Sequence, residues 1–153
     1  MKPGSMSPPM LYRWVIDQDK GTVSETQLDD RAADFVRVCD TVVGLKNRFG
    51  YAAAFSPAGP VAEGYIKYDL ENDSSEFHHL KGGEGSEPVF VKDPDGNAED
   101  DGWVLSYVHQ PSENKSEVVI VDSRAFDKEP VARIHLPVRV PAGFHGNFVP
   151  DGY

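Results

Sequence analysis

A period of just over fifty residues constrains this chain more than any other feature. Three short β-type runs end on an aspartate, WVID at Asp17, IKYD at Asp69 and VIVD at Asp122, spaced 52 and 53 residues apart. A polar-apolar run follows each: GTVSETQL, NDSSEFHHL and DKEPVARIHL. Each repeat then opens a further strand, DFVRV at Asp34, EPVFV at Glu87 and GFHGNF at Gly143. Gly50-Tyr51-Ala52 and Gly102-Trp103-Val104 mark the same register, again 52 residues apart. A repeat of about 50 residues made of four short antiparallel strands is the sequence pattern of a β-propeller blade. Solenoid repeats of that length are helical, and helical periodicity is nearly absent here.

The strands expected from alternation and β-branched or aromatic content are LYRWVID (11–17), GYAAAF (50–55), GYIKYDL (64–70), EPVFV (87–91), WVLSYVH (103–109), EVVIVD (117–122) and VARIHL (131–136). The fold class is therefore all-β. Trp14 and Trp103 read as core aromatics of such sheets. In a propeller the innermost strand of each blade faces a shared axis. Asp34, Glu87 and the segment around His145 hold equivalent places in successive repeats, so two carboxylates and one histidine are expected to converge there. Closed propellers need about four to eight blades, and this chain carries about two plus part of a third. Its open sheet edges predict self-association, or blades supplied by a longer protein or a complementing chain.

Composition removes several function classes. With 25 acidic and 15 basic residues the formal charge is −10, which repels nucleic acid and anionic lipid. No nucleic-acid partner is expected. The single cysteine, Cys39, cannot form an internal disulfide and points to a reducing, cytoplasmic setting. Residues 1–10, MKPGSMSPPM, lack an apolar run and read as a flexible segment rather than a leader or a span, leaving 11–153 as one domain of blades.

Several motifs, in order, carry a resemblance to a known family: LYRWVID with GTVSETQLDDR, RFGYAAA, IKYDL, EPVFV with DPDGNAEDDGWVLSYV, and PAGFHGNF. Together they resemble the C-terminal third of the carotenoid cleavage oxygenases, which include the stilbene-cleaving dioxygenases and a retinoid isomerase. The resemblance implies blades of a seven-bladed propeller with a non-haem Fe(II) at its axis, bound by four histidines, three of them oriented by glutamates. His145, in GFHG, matches one metal-ligand position. Glu87 matches one orienting glutamate, and Asp34 falls where another is usual. The other three ligand histidines would belong to blades not present. The implied activity is oxidative cleavage of a carbon-carbon double bond in an apolar conjugated substrate by O2, giving two carbonyl products.

The chemistry suits these residues. A neutral imidazole is a good ligand for Fe(II), and its second ring nitrogen must donate to a carboxylate or carbonyl to fix the tautomer. Glycines around His145 are expected to let the backbone approach a crowded axis. Three positions depart from the family pattern. Asp34 is a methylene shorter than glutamate, which leaves its carboxylate about 1.5 Å short, Val36 replaces a proline, and Phe148 stands where tryptophan is common. These departures motivate the alternative, a non-catalytic β-propeller remnant or binding domain. His78, His79, His109 and His135 read as surface or structural, because adjacent His78 and His79 must point to opposite faces of a strand. The acidic run GNAEDDG (96–102) reads as a solvated turn, since it lacks the ligand spacing of a calcium loop.

Overall fold

The computed structural model describes residues 7–56 and 61–151. Their regular structure is ten strands and two single-turn 3-10 segments. The strands are β1 (Met10–Asp17), β2 (Thr22–Arg37), β3 (Phe49–Phe55), β4 (Ala62–Asp69), β5 (Ser74–His79), β6 (Glu84–Gly85), β7 (Val89–Lys92), β8 (Gly102–Gln110), β9 (Lys115–Asp122) and β10 (Ala132–His135). No helix among the described residues is long and apolar enough to cross a membrane.

Pairing resolves the strands into blades. The C-terminal part of β2 pairs with β3, β3 with β4 and β4 with β5, all antiparallel. Likewise β7 pairs with β8, β8 with β9 and β9 with β10. These are two four-stranded meanders, and β6 bridges β4 of the first to β8 of the second. The N-terminal part of β2 pairs only with β1, which makes the outer half of a further blade. The repeated aspartates thus end the third strand of each unit, β1, β4 and β9, and their position has a physical cause. Asp17 Oδ1 accepts from Lys20 N, Asp69 Oδ1 from Glu71 N and Asn72 N, and Asp122 Oδ1 from Arg124 N. Each carboxylate caps the turn that follows its strand.

The core lies between the blades. Tyr51 of β3 stacks on Phe90 of β7, with ring centroids 5.0 Å apart and planes 6° from parallel, while its hydroxyl bonds Ser123 Oγ at 2.5 Å. Tyr65, Leu80, Val104, Val108, Val119, Val121 and Phe126 complete this cluster. On the opposite face of the first blade, Ala33, Ala52, Ala54, Ile66 and Tyr68 form a second one. β3 is buried on both sides because successive residues face different clusters. Gly64 sits where a Cβ would lie 2.4 Å from the Phe77 ring and 2.6 Å from the His78 carbonyl oxygen, so β4 and β5 meet as closely as they do only with glycine there.

Four expectations are corrected. GTVSETQL and DFVRV are one sixteen-residue strand, β2, with a register shift between Asp34 and Arg37. GFHGNF is not a strand, since residues 143–148 carry no ladder. Trp14 is 67% exposed, because among the described residues β1 pairs only with β2 and nothing covers its face, whereas Trp103 is half-buried. The fold also begins before residue 11, as Pro9 O accepts from Ala33 N at 3.0 Å and Met10 pairs with Ala32. Residues 1–6 lie outside the described residues.

Candidate functional site

The site is built around one buried carboxylate. Glu87 precedes β7 and is 5% exposed. Pro88 follows it and has no N–H to enter a ladder, so the chain turns inward before the strand starts. A carboxylate taken out of water must be met by donors or opposite charge, and three partners supply this. Glu87 Oε2 accepts from Gly146 N at 2.7 Å. Glu87 Oε1 lies 3.4 Å from His145 Nδ1 and 3.5 Å from Arg37 Nη1. Since a carboxylate offers no proton, the contact with His145 places the imidazole proton on Nδ1. Nε2 is then the bare nitrogen, on a side chain that is 75% exposed.

Two residues of the β2 bulge frame the same histidine. Phe35 meets the His145 ring edge to face, with centroids 5.6 Å apart at 89°. Arg37 reaches further into the terminal segment: Nη1 donates to Gly146 O at 3.3 Å and Nη2 to Asn147 Oδ1 at 3.2 Å. The extra residue between Asp34 and Arg37 leaves Phe35 at φ +54°, a conformation rare for a bulky side chain.

The structure thus brings His145 and Glu87 together and leaves Asp34 out. Asp34 is exposed, and its Oδ1 accepts from the neighbouring Phe35 N at 2.8 Å. Within these blades a Cβ built on Gly143 or Gly146 meets nothing within 4 Å. Phe35, Arg37 and Asn147 went unassigned in the sequence. One signal was available for Arg37: it stands three residues after Asp34, the repeat-mate of Glu87, and carries the charge that complements Glu87.

The remaining histidines stay apart from this site. His78 is buried at 3% exposure, and its Nδ1–H donates to Phe126 O at 3.0 Å. Its Nε2 has no partner among the described residues, and burial holds its pKa below the ordinary histidine value. His79 is exposed against the Phe77 ring. His109 Nδ1 bonds Lys115 O and His135 lies 3.4 Å from Glu117. In the acidic run, Asp101 Oδ2 accepts from Asn97 N and Ala98 N, both at 2.8 Å, and Asp101 Oδ1 lies 3.3 Å from Arg124. Glu99 accepts from Arg48 N and Phe49 N, and Asp100 lies 2.7 Å from the buried Lys67 Nζ. Those carboxylates hold loops in place.

His145 meets the donor requirement of a metal ligand, an imidazole with Nδ1 engaged and Nε2 free and outward. One imidazole does not make a metal site, and the described residues contain no group of three His, Cys, Asp or Glu able to hold a metal ion.

Comparison with known proteins agrees with this architecture. The family model described as retinal pigment epithelial membrane protein matches residues 2–150. The carotenoid cleavage oxygenase of Mycobacterium tuberculosis is 36% identical over 155 aligned positions, covering 97% of this chain and 30% of that protein. A carotenoid 9,10(9',10')-cleavage dioxygenase of Crocus sativus is 35% identical, covering 91% of this chain and 28% of its own length. Among solved structures, a cobalt-substituted Synechocystis apocarotenoid oxygenase superposes with a TM-score of 0.86 at 29% identity, covering 92% of this chain and 30% of that one. The chain therefore spans under a third of the length of these relatives, and its two blades and half-blade are those of their seven-bladed propeller.

Proposed function

The chain belongs to the family of the retinal pigment epithelial membrane protein and the carotenoid cleavage oxygenases, and from that premise we propose that it is the part of a non-haem iron(II) dioxygenase that delivers one metal-binding histidine, His145, to the propeller axis. The observation that carries this reading is the grip of buried Glu87 on both His145 Nδ1 and Gly146 N. One carboxylate fixes the tautomer through the ring and the ring's position through the backbone. What it leaves free is a single nitrogen lone pair, on Nε2 of a side chain that is 75% exposed.

Iron bound there would supply activation of O2 for cleavage of a carbon-carbon double bond in a carotenoid, apocarotenoid or stilbene-type substrate. The chain's own residues do more modest work. His145 offers one neutral nitrogen, and Glu87 keeps the proton on the other. Phe35 covers one edge of the imidazole, and exposed Phe144 and Phe148 give the surroundings the apolar character that a conjugated substrate needs. The metal's remaining ligands come from blades outside this chain, in the same polypeptide or in a complementing one. The names of the relatives support the reading: two are carotenoid-cleaving enzymes and one accepts cobalt.

The test is to substitute this chain for the matching segment of the Synechocystis apocarotenoid oxygenase, load it with Fe(II) and assay apocarotenoid cleavage. The proposal expects cleavage that is lost with His145→Ala. A folded, iron-loaded chimera whose activity ignores that substitution would refute it, and a folded chimera that never cleaves would favour the non-catalytic alternative.

A further inference from the structure

We propose that Arg37 is a positioning residue for His145, which it holds through both Glu87 and the backbone that follows the histidine. The inference deepens the reading of His145 as a ligand and rests on it for its functional meaning.

The argument begins with what restrains residues 143–148. They have no strand ladder, and Phe148 N bonds only the neighbouring Asn147 side chain. Among the described residues the segment is tied down by Glu87 on Gly146 N and by Arg37 on Gly146 O and Asn147 Oδ1. Arg37 also neutralises the carboxylate that receives the imidazole proton, at 3.5 Å from Glu87 Oε1. Only a forked, permanently charged group can meet Gly146 O and Glu87 with one nitrogen and Asn147 with the other; a lysine ammonium is a single point. The side chain is 23% exposed, so these contacts are partly shielded from water and salt. Asp40 lies 3.8 Å from the same guanidinium on its exposed side.

The location of Arg37 strengthens the case. The β2 bulge places Phe35, at φ +54°, on the His145 ring as well as on Phe55, and Arg37 on the backbone after the histidine. Bulges recur where a strand must re-aim side chains. An inner strand of one blade thereby builds the seat for a histidine more than a hundred residues later.

The experiment uses the whole chain, metal-free and near pH 8, above the ordinary histidine range. NMR reads two quantities: hydrogen exchange at the Gly146 amide and the tautomer of the His145 ring. Wild type is expected to show a protected Gly146 amide and the proton on Nδ1. Arg37→Gln is expected to speed Gly146 exchange about tenfold, the scale of losing a charge-assisted bond, and to move the ring toward a mixture of tautomers, which a purely structural role would not do. Arg37→Lys keeps the charge but lacks the fork and should restore less than half of either effect. If Arg37→Gln disrupts the sheet, Asn147→Ala decides: it removes only the exposed contacts of Asn147 Oδ1 with Arg37 and Phe148 N, and faster Gly146 exchange supports the proposal while unchanged exchange refutes it. Unaltered exchange and tautomer in a folded Arg37→Gln also overturn it. A separate cobalt titration of the segment-substituted oxygenase with His145→Ala tests the ligand reading alone, so the two can fail independently.

Discussion

At the scale of single residues, Glu87 does the most. Removing its charge while keeping its shape, as in Glu87→Gln, leaves one acceptor oxygen where His145 Nδ1 and Gly146 N now use two, and puts an NH2 donor in place of the other. The expected loss is about 10- to 100-fold in metal affinity, measured by titration in the completed propeller. His78 makes an independent prediction. Its folded pKa lies below its unfolded one because burial penalises the charged ring, so unfolded chains take up the proton first. Stability is then constant above about pH 6.5, the unfolded value, and falls as pH drops below it. Urea denaturation at pH 7.5 and 5.5 should show that fall, and His78→Gln should flatten it. The meeting of His145 with Glu87 was legible in the sequence because each stands in a distinctive motif, EPVFV and GFHG, that opens a successive repeat. Asp34 was not, because its fate depends on a bulge, and one extra residue in a strand reverses which side chains face the site.

At the scale of elements, the sequence located almost every strand but misjudged two junctions. β2 reads as two strands because Leu28-Asp29-Asp30-Arg31 resembles a turn. In the structure that polarity is internal: Arg31 forms a bidentate pair with Asp29, Nε at 3.0 Å from Oδ1 and Nη2 at 2.5 Å from Oδ2, and the strand runs through. GFHGNF reads as a strand by analogy with its repeat-mates, yet it finds no ladder partner and is held by side chains. The repeat of aspartates was visible, but its cause, a carboxylate capping each following turn, required hydrogen bonds to see. Packing between β4 and β5 gives a direct test. Gly64→Ala introduces a methyl 2.4 Å from the Phe77 ring and is expected to cost about 1–3 kcal/mol, read as a lowered denaturation midpoint with unchanged slope.

At the scale of the whole molecule, blade-to-blade packing is complete inside the chain and missing at its N-terminal hairpin. Trp14, Ile16 and Val23 are 67%, 66% and 67% exposed, and register places them on one face, with Trp14 opposite Glu25 and Ile16 opposite Val23. Isolated chains should therefore associate, giving a sedimentation mass that rises with concentration and returns to the monomer value in Trp14→Glu with Ile16→Lys. The same exposure explains the sequence's one clear misassignment of burial: Trp14 is a core aromatic only where another element covers β1. The most direct test of the account is cobalt(II) binding by the Synechocystis oxygenase carrying this chain in place of its matching segment. The account predicts one bound metal, with affinity weakened at least tenfold by His145→Ala while the sheet stays intact. Equal affinity with and without the His145 imidazole would contradict it.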